Sequence, residues 1–304
     1  MPSLREIRNR ISSVKKTGKI TRAMEMISAA KLRKAQNIMN QAKPYSEQLK
    51  TMLLYASSGV EKQSYPLLTQ RQKKAVEIIV ISSDKGLCGA FNSNVIKNAL
   101  NVIRELEHNN IKYTITTIGK KARDIFARRK KASDLSGLTQ KDSGVIRDSI
   151  IDYSKNVEYK EVQKIATDIL SLYAEEKIDE VIIIHNEFVS IASQKTKITK
   201  LIPVEMPVET IEDAQTSDKP DTPMFLFEPS EAEVLSKLLP KYIENQIYTL
   251  MLESRSAEEA ARMLAMQNAS SNTEDIIASL TLQFNKARQA AITTELIDIV
   301  NRII

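Results

Sequence analysis

The sequence is poor in the residue types that build most catalytic and metal centres. Its 304 residues include one cysteine, two histidines and no tryptophan. The single thiol, Cys88, excludes an internal disulfide and a cysteine-based metal site, and His108 and His185 are too few and too isolated to form a ligand cluster. Aromatic residues make up only 5% of the chain, so platforms for stacking on nucleic-acid bases are scarce. We interpret Cys88 as a buried, unreactive thiol.

Glycine is also rare, and all seven glycines lie at or before Gly144. Residues 241–304 contain neither glycine nor proline, which predicts one uninterrupted helix. At about 1.5 Å per residue it would span on the order of 95 Å, too long for the interior of a compact domain. A capping box formed by Ser230 and Glu233 places its start about ten residues earlier, after Pro229 and before a possible bend at Pro240.

Long apolar runs and an apolar signal region are absent too, so we expect a soluble protein of the cytoplasm. The hydrophobic content of 42% is ordinary for one or two globular domains. The net charge of +6 is unevenly placed, because residues 5–34 hold ten basic and only two acidic side chains. This density favours an acidic partner, and composition leaves open whether it is a protein, a nucleic acid or a lipid.

The first 57 residues predict a second long helix. Ser3 and Glu6 form a capping box, apolar residues recur every three or four positions, Pro44 is a site for a kink, and Gly59 ends the helix. The C-terminal helix carries the same spacing, typical of a coiled-coil seam with one partner helix, at Ile243, Ile247, Leu250, Ala257, Ala261 and Leu264. Two such helices at opposite ends of one chain predict an antiparallel coiled coil.

The C-terminal helix should be the longer of the two by about 10–20 residues, so its tip should project alone. The apolar residues near its end cover roughly 160° of the helix surface, more than a two-stranded seam requires: Ile292, Leu296, Ile297, Ile299, Val300, Ile303 and Ile304. An isolated helix with so wide an apolar face would aggregate. The overhang therefore predicts a socket in another protein.

Strands and helices alternate between the two long helices, which predicts a mostly parallel sheet covered on both faces. The fold class is therefore α/β, a long antiparallel coiled coil with a central Rossmann-like domain. We expect a coiled-coil helix over residues 1–58, the α/β domain with an acidic, proline-rich linker over 59–228, and the second coiled-coil helix over 229–304. Strands are predicted at 75–82, 112–118 and 180–185, a hairpin at 189–192 and 197–204, helices at 92–108, from 119 and at 159–176, and a weak segment at 135–138.

The turn after the first strand, residues 84–92, is where an α/β fold would bind phosphate. Its glycines, Gly86 and Gly89, match neither GxGxxG nor GxxxxGK[ST], so we expect no nucleotide cofactor and assign them to the tight turn. No Ser/His/Asp set, paired carboxylates or metal-ligand spacing stands elsewhere in the sequence. We therefore expect no catalytic residue, cofactor or metal, and a protein that is not an enzyme.

Three segments resemble the gamma subunit of F-type ATP synthases in its bacterial form. They are Arg5-Glu-Ile-Arg8 through Lys19-Ile-Thr-Arg-Ala-Met-Glu-Met26, then Ser83-Asp-Lys-Gly-Leu-Cys-Gly89, and Asn285-Lys-Ala-Arg-Gln-Ala-Ala-Ile-Thr-Thr-Glu-Leu-Ile-Asp-Ile-Val300. The resemblance covers the whole chain. One cysteine departs from the chloroplast members, which carry an inserted cysteine pair for redox control.

The resemblance implies a central rotor shaft, one copy per complex, which couples proton-driven rotation to ATP synthesis or hydrolysis. The coiled coil would pass through a hexamer of three alpha and three beta subunits, with catalysis in beta. The α/β domain would sit with epsilon on the c-subunit ring, peripheral to the cell membrane on its cytoplasmic side, without nucleic acid. A looser correspondence places residues 203–212 against that ring.

The resemblance also implies two groups of bearing contacts with alpha and beta. Met24 matches a methionine that faces an acidic loop of beta, and the polar residues that engage the hexamer are Arg288, Gln289, Thr293 and Glu295. An alternative is a basic coiled-coil protein that binds nucleic acid, whose affinity would fall steeply with salt. That alternative gives the apolar tip no role.

Overall fold

The computed structural model describes residues 3–58, 65–136, 144–153, 157–205, 227–228 and 230–303. Two helices dominate it: α1 (Leu4–Ser58) has 55 residues and the last helix, α5 (Glu231–Ile303), has 73. No helix among the described residues carries an apolar stretch long enough to cross a bilayer. The elements between the two long helices are β1 (Ala75–Ile81), α2 (Phe91–His108), β2 (Lys112–Ile118), α3 (Lys120–Ser136), β3 (Val145–Ile150), α4 (Tyr159–Ala174), β4 (Glu180–Phe188) and β5 (Gln194–Ile202).

Both long helices begin where their capping residues predict. The Ser3 amide donates to Glu6 Oε2 at 2.9 Å and the Glu6 amide donates to Ser3 Oγ at 3.3 Å, which completes the box on α1. The Glu233 amide donates to Ser230 Oγ at 3.2 Å at the start of α5. The helices satisfy backbone donors that would otherwise lack partners, and neither is ended by its internal proline, Pro44 or Pro240.

The five strands form one sheet in the order β3-β2-β1-β4-β5. The first four are parallel, and β5 pairs antiparallel with β4 at one edge. Val76, Ile78 and Val80 of β1 pack under α2 and α3, whereas Ile79 and Ile81 point to α4, α5 and the end of α1. The predicted sheet, mostly parallel and covered on both faces, is confirmed.

Two details of the predicted domain are wrong. Strand β3 was not among the predicted strands, and among the described residues it pairs with β2 alone. The hairpin was predicted between residues 189–192 and 197–204, but β4 itself extends to Phe188 and turns back through Ser190 and Ser193 into β5. Of the weak segment 135–138, residues 135 and 136 end α3 and the other two lie outside the described residues, as does most of the acidic linker.

Candidate functional site: the coiled coil and its joint with the sheet

Side chains along α1 and α5 fix the register of the two helices. Ser46 Oγ lies 3.1 Å from Thr249 Oγ1, and Thr21 Oγ1 lies 2.8 Å from Ser270 Oγ. Nearer the start of α1, the Arg8 guanidinium lies over the Phe284 ring at 5.5 Å. Residue numbers thus fall along α1 while they rise along α5. The antiparallel coiled coil is confirmed.

In the same register, no helix of the described part of the chain pairs with the end of α5. Since α1 starts at Leu4, one turn before Arg8, α5 has no α1 residue beside it beyond about Arg288, which leaves roughly 15 residues or about 22 Å of single helix. Half-exposed apolar side chains cover this tip: Ile292 at 49%, Leu296 at 58%, Ile297 at 53% and Ile299 at 54%. Those of Val300, Ile303 and Ile304 lie outside the described side chains.

The predicted contact residues fall into two separate places. Arg288, Gln289, Thr293 and Glu295 are all exposed on the tip, where Thr293 Oγ1 donates to the Gln289 carbonyl at 2.9 Å. Met24 is half-buried on α1, close to the level at which Thr21 meets Ser270. It therefore lies about 20 residues, or about 30 Å, along the shaft from Arg288. The structure brings the four tip residues together and leaves Met24 apart.

An exposed apolar patch surrounds Met24. Ile20 is 60% exposed, Ile27 is 56% exposed, and Leu87 of the glycine turn is 62% exposed. Met24, Ile27 and Leu87 line one opening, which also contains Lys31, Lys34 and Lys85. The patch is thus apolar at its centre and basic at its rim.

Helix α5 crosses the sheet where the carboxyl ends of β1 and β4 meet. Glu253 Oε2 lies 3.6 Å from Nε2 of His185, which is in the carboxyl-terminal half of β4. Cys88 and Phe91, on the other side of the crossing, pack against Ala257 and Ala261 in one buried cluster. The chain adds β2 and β3 on one side of β1 and then adds β4 on the other side. The crevice between β1 and β4 is therefore the point where the strand order reverses, and open α/β sheets bind ligands at such points. Helix α5 itself packs into that crevice and leaves a cavity of only about 160 Å³, whose lining includes Cys88, Phe91 and Ala261.

The glycine turn has the backbone that this packing requires. Gly89 has a φ of +56°, a left-handed conformation that favours glycine, and a Cβ placed there would lie 3.9 Å from the Ala265 Cβ. Cys88 is buried beside it, as predicted, and burial raises the pKa of its thiol. The turn therefore packs against α5 through small residues.

A buried network of charges joins α5 to its surroundings. Arg262 Nη2 lies 2.5 Å from Glu258 Oε1 and its Nη1 lies 3.0 Å from Glu259 Oε2. Arg262 also donates to the Lys85 carbonyl of the glycine turn at 3.5 Å, and Lys31 of α1 approaches Glu259 Oε1 at 3.8 Å. Burial raises the pKa of Glu258, and the nearby Arg262 opposes that shift. The network thus touches both helices and the turn.

This network was not predicted, because opposite charges three and four residues apart usually mark a solvated helix face. The expectation of a seam with one partner helix is also wrong for this part of α5. Leu250 and Ala261 are buried as predicted, yet nearly every residue between them is buried as well. The helix here lies between α1 and the sheet, and paired charges make burial of its polar side possible.

We predict a measurable coupling at the closest approach of α1 and α5. A Cβ at Gly18 would lie 2.7 Å from Thr273 Oγ1, so Gly18→Ala should lower the thermal midpoint in the native background. In a Thr273→Ala background the clash is gone, and the same change should stabilise by about 1 kcal/mol through helix propensity. Thermal unfolding of the four variants measures this coupling. Equal effects of Gly18→Ala in both backgrounds would contradict the contact.

No group of three or more histidine, cysteine, aspartate or glutamate side chains suited to a metal ion occurs among the described residues. What the geometry defines instead is a stalk-type protein, a two-helix shaft fixed by buried contacts to an α/β base, with a single helix projecting from the far end. This class of protein is defined by the shape of its helices and by their attachment to the base, and not by a reactive group.

Comparisons with known proteins give the family. A family model described as ATP synthase matches residues 3–302. The chain is 43% identical over 303 residues to the ATP synthase gamma chain of Pelotomaculum thermopropionicum and 40% identical over 301 residues to that of Geotalea daltonii, with 99% of this chain and 98% of each relative covered. The chain belongs to the family of ATP synthase gamma chains, and the resemblance found in its motifs is confirmed.

Solved structures agree on the fold. A chain in the rotor of the Euglena gracilis mitochondrial ATP synthase matches at a TM-score of 0.61 and 20% identity, covering 95% of this chain and 98% of that one. A chain from the central stalk and c-ring of the Tetrahymena thermophila mitochondrial enzyme matches at a TM-score of 0.55 and 26% identity, covering 83% and 99%. The long coiled coil on an α/β base is therefore shared with these central-stalk chains.

Proposed function

We propose that this gamma chain is the central rotor shaft of an F-type ATP synthase and is itself non-catalytic. It couples proton-driven rotation of the membrane ring to the conformational cycle of the catalytic beta subunits. The observation that carries the proposal is the tip of α5, a single helix of about 15 residues with half-exposed apolar side chains. Such a surface needs a socket, and a hexamer of alpha and beta subunits provides one.

The joint suits the transmission of torque. Two helices wound together resist bending and twisting better than one, and α5 is held between α1 and the sheet along the stretch that carries the Arg262 network. Because Arg262 contacts two carboxylates of α5 and the Lys85 carbonyl of the turn, force on the base reaches the shaft through buried contacts. The base and the lower shaft therefore turn as one body.

The coupling itself is a shift in populations. A shaft made of two unlike helices has no rotational symmetry, so each of three surrounding catalytic sites meets a different face at any moment. Contacts that favour one conformation of a site over another shift its equilibrium as that face arrives. Rotation then moves each site in turn through its conformations.

The two groups of predicted residues receive roles in this scheme. Arg288, Gln289, Thr293 and Glu295 would form polar contacts with alpha and beta around the tip. The patch of Ile20, Met24, Ile27 and Leu87, with its lysine rim, has the chemistry to contact an acidic loop of beta as the shaft turns. The base would contact epsilon and the c-ring, and the chain would then lie on the cytoplasmic side of the cell membrane without crossing it.

The packing of α5 into the crevice between β1 and β4 supports the non-catalytic assignment. Ala257 and Ala261 of α5 pack against Cys88 and Phe91 where an α/β enzyme would hold its ligand. A ligand bound at this point of the sheet would require α5 to leave its position, and that would dismantle the shaft. The catalytic centres are therefore assigned to the beta subunits.

Co-purification of the tagged full chain from cells, followed by mass identification, tests the assembly. Alpha, beta and epsilon should be recovered together. A Leu296→Asp/Ile297→Asp variant places two charges on the tip and should reduce recovery of alpha and beta at least tenfold. The matched control Val189→Asp/Ile198→Asp changes two equally exposed residues of the base and should retain alpha and beta. Absence of alpha and beta from the wild-type sample would refute the proposal.

A further inference from the structure

A charged cavity lies between the shaft and the glycine turn. Its volume is about 580 Å³, within the range of roughly 300–1,000 Å³ typical of small-molecule sites. Three elements supply its cations: α1 contributes Lys31 and Lys34, the turn contributes Lys85, and α5 contributes Arg255 and Arg262. We call it the shaft cavity. It lies on the α1 side of the turn, whereas the crevice into which α5 packs lies between β1 and β4.

The shaft cavity carries an excess of positive charge. Five cationic side chains line it, and only three carboxylates do: Asp152, Glu258 and Glu259. If all eight groups are ionised, the cavity carries a net charge of +2. Because burial raises the pKa of Glu258, the protonated form of that carboxyl is favoured and the effective excess is no smaller.

The cationic side chains of the cavity differ in whether they already form ion pairs. Arg262 is only 8% exposed and pairs with both Glu258 and Glu259, so its guanidinium group is held in place. Lys34 and Lys85 are exposed at the mouth and form no ion pair within the part of the chain that the structure describes. Two flexible ammonium groups on different elements can converge on one anion, and each would contribute a charge-assisted hydrogen bond.

Apolar side chains line the same opening. Met24, Ile27 and Leu87 stand beside the lysines, and the last two are more than half exposed. A ligand that matches the whole opening has a doubly charged anionic group for the ammonium groups and an apolar body for this side. We propose that the shaft cavity binds phosphate monoesters, with the phosphate dianion between Lys34 and Lys85 and the organic group against Met24, Ile27 and Leu87.

The glycine motifs of nucleotide sites do not bear on this assignment. Those motifs supply backbone amides from one loop, whereas the shaft cavity would bind its ligand through side chains of three elements that are far apart in sequence. A bound dianion would link Lys34 of the shaft to Lys85 of the base. Ligand binding should therefore stabilise the folded chain.

Isothermal titration of the purified full chain tests the proposal, at fixed ionic strength and in a buffer without phosphate. Phenyl phosphate should bind at one site per chain and inorganic phosphate more weakly, since only the ester has an apolar body. Lys34→Gln/Lys85→Gln should weaken phenyl phosphate binding at least tenfold. The control Lys15→Gln/Lys19→Gln removes the same charge from α1 outside the cavity and should change binding less than twofold.

Each outcome decides the question. No saturable binding of phenyl phosphate would overturn the site, and equal losses in both double variants would reduce it to general attraction by a basic helix. Equal affinity for inorganic phosphate and the ester would contradict the proposed contact of the organic group with Met24, Ile27 and Leu87. The ester would share this opening with the acidic loop of beta that the proposed function assigns to it. The titration uses the free chain, in which no such loop is present, so its result does not depend on assembly with other subunits.

Discussion

Leu252→Asp should lower the free energy of unfolding by about 4 kcal/mol or more. Leu252 is 1% exposed and belongs to the core that α5 shares with the sheet, so the substitution both removes buried methyl groups and places a carboxyl where water cannot reach it. Urea denaturation of the full chain, followed by the helical signal, measures the loss. The shaft and base should unfold at lower urea because they share this core.

Leu282→Asp is the matched control for that experiment. It makes the same chemical change on the same helix, but Leu282 is 65% exposed, so the expected change is within about 0.5 kcal/mol. Similar midpoints for Leu252→Asp and the wild type would mean that α5 does not enter the domain core. A large loss with Leu282→Asp alone would place the buried face of α5 on its other side.

The long helices were predictable because their signals are local. The Ser230 cap and the absence of glycine and proline over residues 241–304 predict the extent of α5 within a few residues, and the Ser3 cap and Gly59 do the same for α1. Their pairing followed from the apolar spacing in both, and its antiparallel direction from their positions at opposite ends of the chain with a domain between them. The overhang followed from the difference in length.

The edges of the sheet were harder to predict. Strand β3 has the sequence VIRDSI, in which Arg147, Asp148 and Ser149 interrupt the apolar pattern. Arg147 belongs there because its Nε donates to buried Glu77 Oε1 at 3.2 Å, a contact that depends on two distant strands. Strand β4 continues through polar His185, Asn186 and Glu187 for a similar reason, since β5 supplies its backbone partners. Pairing across the sheet, rather than local propensity, decides both segments.

The joint between α5 and the sheet could not be predicted from the residues alone. Glu258, Glu259 and Arg262 have the spacing of an exposed helix face, and only their mutual pairing makes their burial tolerable. The contact residues show the same dependence on three-dimensional register. The sequence motifs identify Met24 and Arg288 as contact residues. Their separation along the shaft becomes visible in the structure from the pairing of Thr21 with Ser270.

Met24→Lys should impair the coupling of rotation to ATP turnover while leaving assembly intact. The new ammonium group would join a patch that already has Lys31, Lys34 and Lys85 at its rim. If an acidic loop of beta passes this patch, two opposite charges attract by about 4 kcal/mol at 4 Å and an effective dielectric near 20. An additional well of only about 1.4 kcal/mol slows escape from one rotary angle roughly tenfold. A rotor that pauses at one angle loses the even progress that coupling requires.

Proton pumping per ATP hydrolysed, measured on assembled complexes in membrane vesicles, distinguishes charge from shape at this position. Met24→Leu keeps the size and polarity of the side chain and should pump normally, whereas Met24→Lys should pump less per ATP. Met24→Glu would be repelled by an acidic loop and should not create the additional well. Equal impairment by the lysine and glutamate variants would mean that the effect comes from packing beside Ile27 and not from charge. Normal pumping by the lysine variant would mean that Met24 is not one of the contacts with beta.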